Sequence, residues 1–362
     1  QHPYCFHTNL PLLTRIRYRV FPYFNYDDLG RFPIHKNNGQ TRGYLNLQAS
    51  ELRGRTVMWM PQRYTHRETR VVSRISDMKI CRFNENRLGL VENESVRDVT
   101  AFLSALPAQK WPALHGDALI SHWPAVRSSI ERESSDVPRL ALSEVQLNSP
   151  VANPSKIIGI ARNRKNLDSE SLGPENAFAT GRGDSDPIHM FIKATSALVG
   201  ASDGVALRFI HRRNDPEAEL AIVIGTGGTD ISERDALSHV FGYSIGLDMS
   251  LRGPEPASAR KSIDSYAVLG PWIVTADEIP DPDNLATRLY VDDEILQDSN
   301  TSQLAFGVRS LIAHASSYFT LYPGDVIMAG TAASFAPIHP GSVMTADFEG
   351  IGRMEVAVRQ HE

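Results

Sequence analysis

The sequence predicts an α+β protein in which strands dominate, with a main domain that follows a small N-terminal module. Three observations carry this. Short apolar runs bounded by glycine, proline and polar turn residues recur from residue 156 onward, a spacing that suits strands rather than helices. Helical patterns are few, and the clearest is the apolar face formed by Val308, Leu311, Ile312, Ala315 and Phe319. A chain of 362 residues, 41% hydrophobic and 22% charged, can bury a sizeable core and suggests about two domains.

The first stretch differs from the rest. Residues 1–77 hold twelve Lys+Arg against five Asp+Glu, whereas residues 78–362 carry the acidic excess behind the formal net charge of −5. The stretch shows no sustained period beyond short runs such as Leu12 to Phe24. A nucleic-acid-binding or targeting arm, a disordered extension, and sequence foreign to the native protein are the competing readings. Pro3, Pro11, Pro22 and Pro33 break any amphipathic helix, which argues against targeting. The expectation is that residues 1–77 lie outside the fold and that Met78 is the natural start. With two cysteines, Cys5 and Cys81, and no run of about eighteen apolar residues, neither a disulfide framework nor a membrane span is indicated, and the cytoplasm is expected.

From Met78 the elements follow in order. Met78–Phe83 and Arg87–Val91 read as a hairpin turning on Asn84–Asn86. A strand at Ser95–Val99, a helix at Thr100–Leu106 and a second short helix at Ala118–Glu133 complete the module. Pro138–Leu147 reads as an extended linker, and Pro150–Pro154 as the boundary between a module at 78–150 and a main domain at 151–362. In that domain Lys156–Ala161, His189–Lys193, Val205–Ile210 and Glu219–Gly225 are predicted strands. Leu167–Pro187 is a long polar loop of the kind that forms lids, and the Arg182-Gly183-Asp184 within it is read as ordinary loop. Ser232-Glu233-Arg234-Asp235 resembles a capping box opening a short helix to Val240. Pro323-Gly324 and Pro340-Gly341 are turn signals.

The chemistry centres on Asp215-Pro216-Glu217-Ala218-Glu219, which leads into the apolar run Leu220–Gly225. Residues i and i+2 of a strand face the same side, so Glu217 and Glu219 project together. Like charges entering a strand fit for burial repel unless a cation sits between them. Asp248, set in a second apolar run, offers a third oxygen. Three carboxylates with no cysteine or histidine beside them favour Mg²⁺ or Mn²⁺. The ordinary alternative is an acidic loop ahead of a strand. Lys261, Arg252 and Thr331 likewise have ordinary readings as a surface lysine, a structural arginine and a turn cap.

The order of motifs resembles the fumarylacetoacetate hydrolase family over roughly residues 78–360. The residues that carry it are Glu217-Ala218-Glu219 through Val223-Ile224-Gly225, then Gly242-Tyr243 followed by Asp248 and Arg252. Lys261-Ser262-Ile263-Asp264, Leu269-Gly270-Pro271-Trp272, Pro323-Gly324-Asp325-Val326-Ile327 and Gly330-Thr331 complete the set. The resemblance extends to the bacterial branch that includes 2-hydroxyhepta-2,4-diene-1,7-dioate isomerase-like members. It implies a mixed β-roll or sandwich catalytic domain, a homodimer, and a metal held by Glu217, Glu219 and Asp248, namely Mg²⁺, or Mn²⁺ or Ca²⁺ in its place. It places Lys261, Arg252 and Thr331 around a 2-oxo or enol carboxylate, without nucleic acid or membrane as partner.

The implied activity is carbon–carbon bond hydrolysis of a β-diketo acid. An isomerase, decarboxylase or hydratase acting through an enolate is the alternative, and a non-catalytic metal-binding member the further one. Two departures matter. Family members carry Asn-Tyr-x-x-His-x-x-Glu after the first main-domain strand, where this chain reads Asn163-Arg164-Lys165-Asn166-Leu167-Asp168-Ser169-Glu170. The histidine that activates water is therefore missing at Asn166 or Leu167, leaving Glu170 to orient a water and His189 as the nearest histidine. Hydrolysis is expected to suffer more than tautomerisation or decarboxylation. Thr331 is followed by Ala-Ala-Ser instead of the family's Pro-x-Gly, which bears on specificity.

Overall fold

The structure, a computed structural model, describes residues 78–109, 111–113, 115–133, 137–165, 188–331 and 336–362, together with the backbone of two short strands nearer the N-terminus. The chain divides into two compact units, Gln1–Val71 and Val72–Glu362. In the first, β1 (Phe32–Pro33) pairs antiparallel with β2 (Tyr44–Leu45).

The second unit opens with β3 (Lys79–Phe83), β4 (Arg87–Glu92) and β5 (Ser95–Asp98), then α1 (Ala118–Ser121), α2 (Trp123–Glu133), β6 (Arg139–Ala141) and β7 (Leu147–Asn148). It continues with β8 (Ile157–Ala161), β9 (His189–Lys193), β10 (Leu198–Val199), β11 (Val205–Leu207), β12 (Asn214–Asp215), β13 (Ala218–Ile224), β14 (Val240–Asp248) and β15 (Ser250–Leu251). The remainder is α3 (Ala257–Arg260), β16 (Ala267–Thr275), β17 (Ala286–Val291), β18 (Glu294–Asn300), α4 (Val308–Tyr318), β19 (Val326–Met328), β20 (Val343–Phe348) and β21 (Gly352–Gln360). One mixed sheet of 12 strands runs β6-β5-β4-β3-β16-β14-β13-β19-β8-β9, with β7 on β3 and β10 on β16. A second sheet of 5 strands runs β11-β21-β20-β17-β18. The β-rich α+β class is as the sequence predicts.

Why the centre of the large sheet sits where it does follows from residue type. All seven residues of β13 and all nine of β16 are buried, as expected of strands covered on both faces, where apolar runs are continuous rather than alternating. Ser244 is a polar residue buried in β14, and its hydroxyl donates to Gly270 O (3.1 Å) and Trp272 O (2.9 Å), where the β14–β16 register shifts. Beside them β19 lies parallel to β8, held by Asp325. That buried carboxylate accepts from Ser155 Oγ (2.6 Å), the Lys156 N–H (3.0 Å), Lys156 Nζ (2.5 Å) and the Tyr322 N–H (2.8 Å). A buried carboxylate is tolerated when its oxygens are satisfied in this way.

Several expected elements differ in detail. Thr100–Ala105 is a 3₁₀ helix, not α, and so is Ala236–His239, where Ser232 and Asp235 bond each other as a turn. Ala118–Glu133 is two helices, because Trp123-Pro124 restarts the chain after His122. The predicted strand at Val205–Ile210 ends at Leu207. Pro138–Leu147 is not a plain linker: β6 pairs with β5, a 3₁₀ turn covers Leu142–Glu144, and β7 adds to β3. Long-range pairing decides the last of these, the fate of Pro138–Leu147, and no local pattern encodes it. The helical face from Val308 is found in α4, with Val308, Leu311, Ile312 and Ala315 buried. The Leu12–Phe24 run and the loop at 167–187 with its Arg182-Gly183-Asp184 fall outside the described residues.

Candidate metal and active site

Glu217 stands one residue before β13, Glu219 within it, and Asp248 at the end of β14. The Asp248 N–H donates to Glu217 O at 2.8 Å, and Glu219 lies opposite Gly246, so the ladder brings all three side chains to one place. One carboxylate oxygen from each lies within 4.8 Å of the other two, and all three residues are buried. The i, i+2 spacing read in the sequence thus supplies two corners of the cluster and the neighbouring strand the third.

Two ammonium groups enter the cluster. Lys261 follows α3 and donates to Glu217 Oε2 (3.0 Å) and Asp248 Oδ2 (2.6 Å), with its Nζ 5.1 Å from the centre of the Phe191 ring. Lys193, at the end of β9 and fully buried, donates to Asp248 Oδ1 and to the carbonyl of Lys261. Arg252 Nε bonds Asp215 Oδ2 at 2.7 Å, and its Nη2 bonds Glu217 Oε1 at 3.2 Å, so this guanidinium braces the cluster. Ser250 Oγ donates to the same Glu217 oxygen at 2.8 Å. On the far side the Gly330 N–H donates to Glu219 Oε2 at 2.8 Å. Thr331 follows it and lines a small recess with Ala218, Leu220, Leu304 and Phe348.

The electrostatics are uneven. Burial, then the charges of Asp248 and Glu217, push the Glu219 carboxyl well above its ordinary range, against Lys261 and the Gly330 N–H. Burial also acts to raise Asp248, but the charges of Lys193 and Lys261 and their hydrogen bonds outweigh it and hold that carboxyl low. Burial lowers Lys193, opposed by Asp248 and reinforced by Lys261. For Lys261 burial is overcome by Asp248, Glu217 and Glu219, which raise it. Two ammonium groups therefore leave the cluster short of positive charge at Glu219. An all-oxygen, partly repelling, buried donor set fits a hard divalent cation.

Lys193 and Ser250 are not singled out by the sequence, and Asp215 only as part of the acidic stretch before β13. For Lys193 the one local signal is strand alternation, since His189, Phe191 and Lys193 share a face of β9. His189 sits at the other end of that strand, roughly 13 Å of rise from Lys193. Glu170, Asn166 and Leu167, and the Ala-Ala-Ser after Thr331, lie outside the described residues. Phe191 is fixed from behind by Gly159, where an added Cβ would fall 2.1 Å from Phe191 Cζ. Gly159→Ala is expected to displace the ring from Lys261 and destabilise the protein by about 1–3 kcal/mol, as overpacking does. A thermal melt unchanged within error would show that the ring yields freely.

A β-rich fold whose large sheet carries a buried carboxylate–lysine centre fits the class of enzymes that hold a hard cation on carboxylate oxygens. The profile described as "Fumarylacetoacetate (FAA) hydrolase C-terminal" matches residues 156–359. The chain belongs to the fumarylacetoacetate hydrolase family. It is 48% identical to a maleylpyruvate hydrolase of Aquipseudomonas alcaligenes over 285 residues, covering 78% of this chain and 99% of the relative. It is 35% identical to a mitochondrial oxaloacetate tautomerase of Xenopus laevis, covering 67% of this chain and 74% of the relative. Among solved structures it is similar to the maleylpyruvate hydrolase of Sphingobium sp. SYK-6 in complex with manganese(II) and pyruvate. That match has a TM-score of 0.67 at 35% identity, with 79% of this chain and 100% of the other covered.

Proposed function

We propose that the protein is a divalent-metal-dependent hydrolase that cleaves a carbon–carbon bond of an acylpyruvate, of the kind its maleylpyruvate hydrolase relative is named for. The observation that carries this is the meeting of Glu217, Glu219 and Asp248 within 4.8 Å beside the Lys261 ammonium. Mn²⁺ is the proposed ion, with Mg²⁺ and Ca²⁺ as substitutes of the same hard, oxygen-seeking character. When bound, such an ion supplies Lewis acidity toward the carboxylate and keto oxygens of a 2-oxo acid.

The chain's own residues do the rest. Lys261 brings fixed positive charge to where negative charge develops on the substrate oxygens. Arg252 and Ser250 hold Glu217 in place, and Lys193 holds Asp248. Thr331, at the recess beside Gly330, is a substrate contact in this reading, and Glu170 orients the attacking water. Water oxygen adds to the carbonyl carbon remote from the 2-oxo acid, and the bond from that carbon to the methylene breaks. The electron pair leaves with the pyruvate half as an enolate, which takes up a proton, and the other half departs as a carboxylic acid.

A second reading, tautomerisation of a 2-oxo acid, is favoured by the absence of histidine at Asn166 and Leu167 and by the tautomerase relatives. Turnover of maleylpyruvate and of oxaloacetate with Mn²⁺ separates the two. Release of pyruvate from maleylpyruvate, stopped by a chelator, is the expected result. Rapid keto–enol exchange of oxaloacetate with no pyruvate from maleylpyruvate would move the assignment to the second reading. Light scattering is expected to give the mass of a homodimer.

A further inference from the structure

Arg260 is the last residue of α3 and the immediate neighbour of Lys261. Its Nη1 is buried and makes no hydrogen bond. Around it the other cations have anionic partners: Lys193 and Lys261 on Asp248, Arg252 on Asp215 and Glu217, and Arg212 on Glu255. Among the described residues no ion pair of Arg260 is found. Burial depresses its pKa and the Arg252 charge adds to this, while Glu217, Asp248 and Glu255 pull the other way. A guanidinium stays charged through such shifts. Arg260 directly precedes Lys261, whose ammonium bonds Glu217 and Asp248, which sets its backbone at the edge of the carboxylate and lysine centre.

A buried charged donor with no acceptor is unfavourable and rare in native proteins, and each such group calls for an explanation. The carboxylates of the cluster are bonded instead by Lys193, Lys261, Arg252, Ser250 and Gly330, and none of them accepts from Arg260 Nη1. A guanidinium is shaped to receive a carboxylate through two parallel N–H donors. An acylpyruvate that presents its 2-oxo acid end to the cluster has its other end free to carry such a group.

We propose that Arg260 is a specificity-determining residue that binds the distal carboxylate of a dicarboxylic substrate, making the enzyme prefer diacids over monoacids of equal length. This rests on the 2-oxo acid reading of the centre. It goes beyond that reading by assigning the second anion site. Arg252 serves the cluster, Arg260 the substrate's far end.

The test uses two ligands that lack the scissile diketone, so that binding is read without turnover. 2-Oxoheptanedioate carries a distal carboxylate, and 2-oxoheptanoate has a methyl group in its place. Calorimetry with the Mn²⁺-loaded wild-type protein is expected to show the diacid binding about 10- to 100-fold tighter, the range of a hydrogen bond to a charged partner. In Arg260→Gln the preference is expected to collapse to near parity, through loss of diacid affinity and with monoacid affinity retained. Arg260→Lys, which keeps the charge but not the fork, should keep part of the preference. Equal loss for both ligands would make Arg260 a support of the centre and overturn the proposal. So would a preference that survives in Arg260→Gln, or wild-type protein that binds both ligands equally while the 2-oxo acid reading stands. Wild-type protein that binds neither ligand would overturn both.

Discussion

Glu219→Gln removes the rise in melting temperature that Mn²⁺ gives the wild-type protein, and with it most of the activity. A ligand present at about 100 times its dissociation constant stabilises by roughly 2.7 kcal/mol, about 5–10 °C for a domain of this size. Glutamine keeps the carbonyl oxygen that accepts from the Gly330 N–H but removes the charge that would face the ion. Metal-assisted stabilisation of developing charge is worth several kcal/mol, so turnover should fall on the order of 10³-fold. Without metal the sign reverses. Glu219 is the carboxyl that burial and the charges of Asp248 and Glu217 already push up, so neutralising it costs nothing and relieves repulsion. The metal-free variant should melt no lower than the metal-free wild type. A variant that keeps its Mn²⁺-dependent stabilisation would remove Glu219 from the ligand set.

Lys193→Met acts in the opposite sense and more strongly on the fold. The ammonium is fully buried, and it joins the Asp248 carboxylate to the Lys261 carbonyl. Methionine fills similar volume but leaves Asp248 with Lys261 alone and an orphaned carbonyl acceptor. Breaking one side of a buried ion pair typically costs about 3–5 kcal/mol, well above an ordinary surface substitution. Urea unfolding of metal-free protein measures this directly. Adding Mn²⁺ should recover part of the loss, because the ion supplies positive charge where the lysine did. A loss below about 1 kcal/mol would mean that Asp248 is neutral, or is held by Lys261 alone.

The sequence carried the parts of this site that obey a strand's own period. Glu217 and Glu219 were legible because alternation along β13 is local, and Asp248 because its apolar run is as evident as theirs. Lys193 was not legible: its role depends on β9 pairing with β8, and β8 with β19, a lateral order set across more than a hundred residues. Arg252, which motif order places around the substrate, also bonds Asp215 and Glu217, partners that only the fold brings to it. Arg260 looked like any arginine ending a short helix, since burial of one guanidinium nitrogen has no signature in a pattern of residue types. The predicted helices at Thr100–Leu106 and at Val240's approach became 3₁₀ turns because short segments without a full apolar face gain little from α geometry.

The pairing of β3 with β16, Ile80 opposite Ile273 and Lys79 opposite Val274, has a consequence for how the chain can be cut. A fragment starting at residue 151 would retain the residues matched by the family profile and every carboxylate of the centre. It would also strip the partner strand from a wholly buried, β-branched segment, leaving open donors and acceptors next to Ile273 and Val274. Such an exposed edge recruits other copies of itself. The hairpin at Lys79–Glu92 therefore acts as a guard against self-association, and its removal would cost solubility before it cost chemistry.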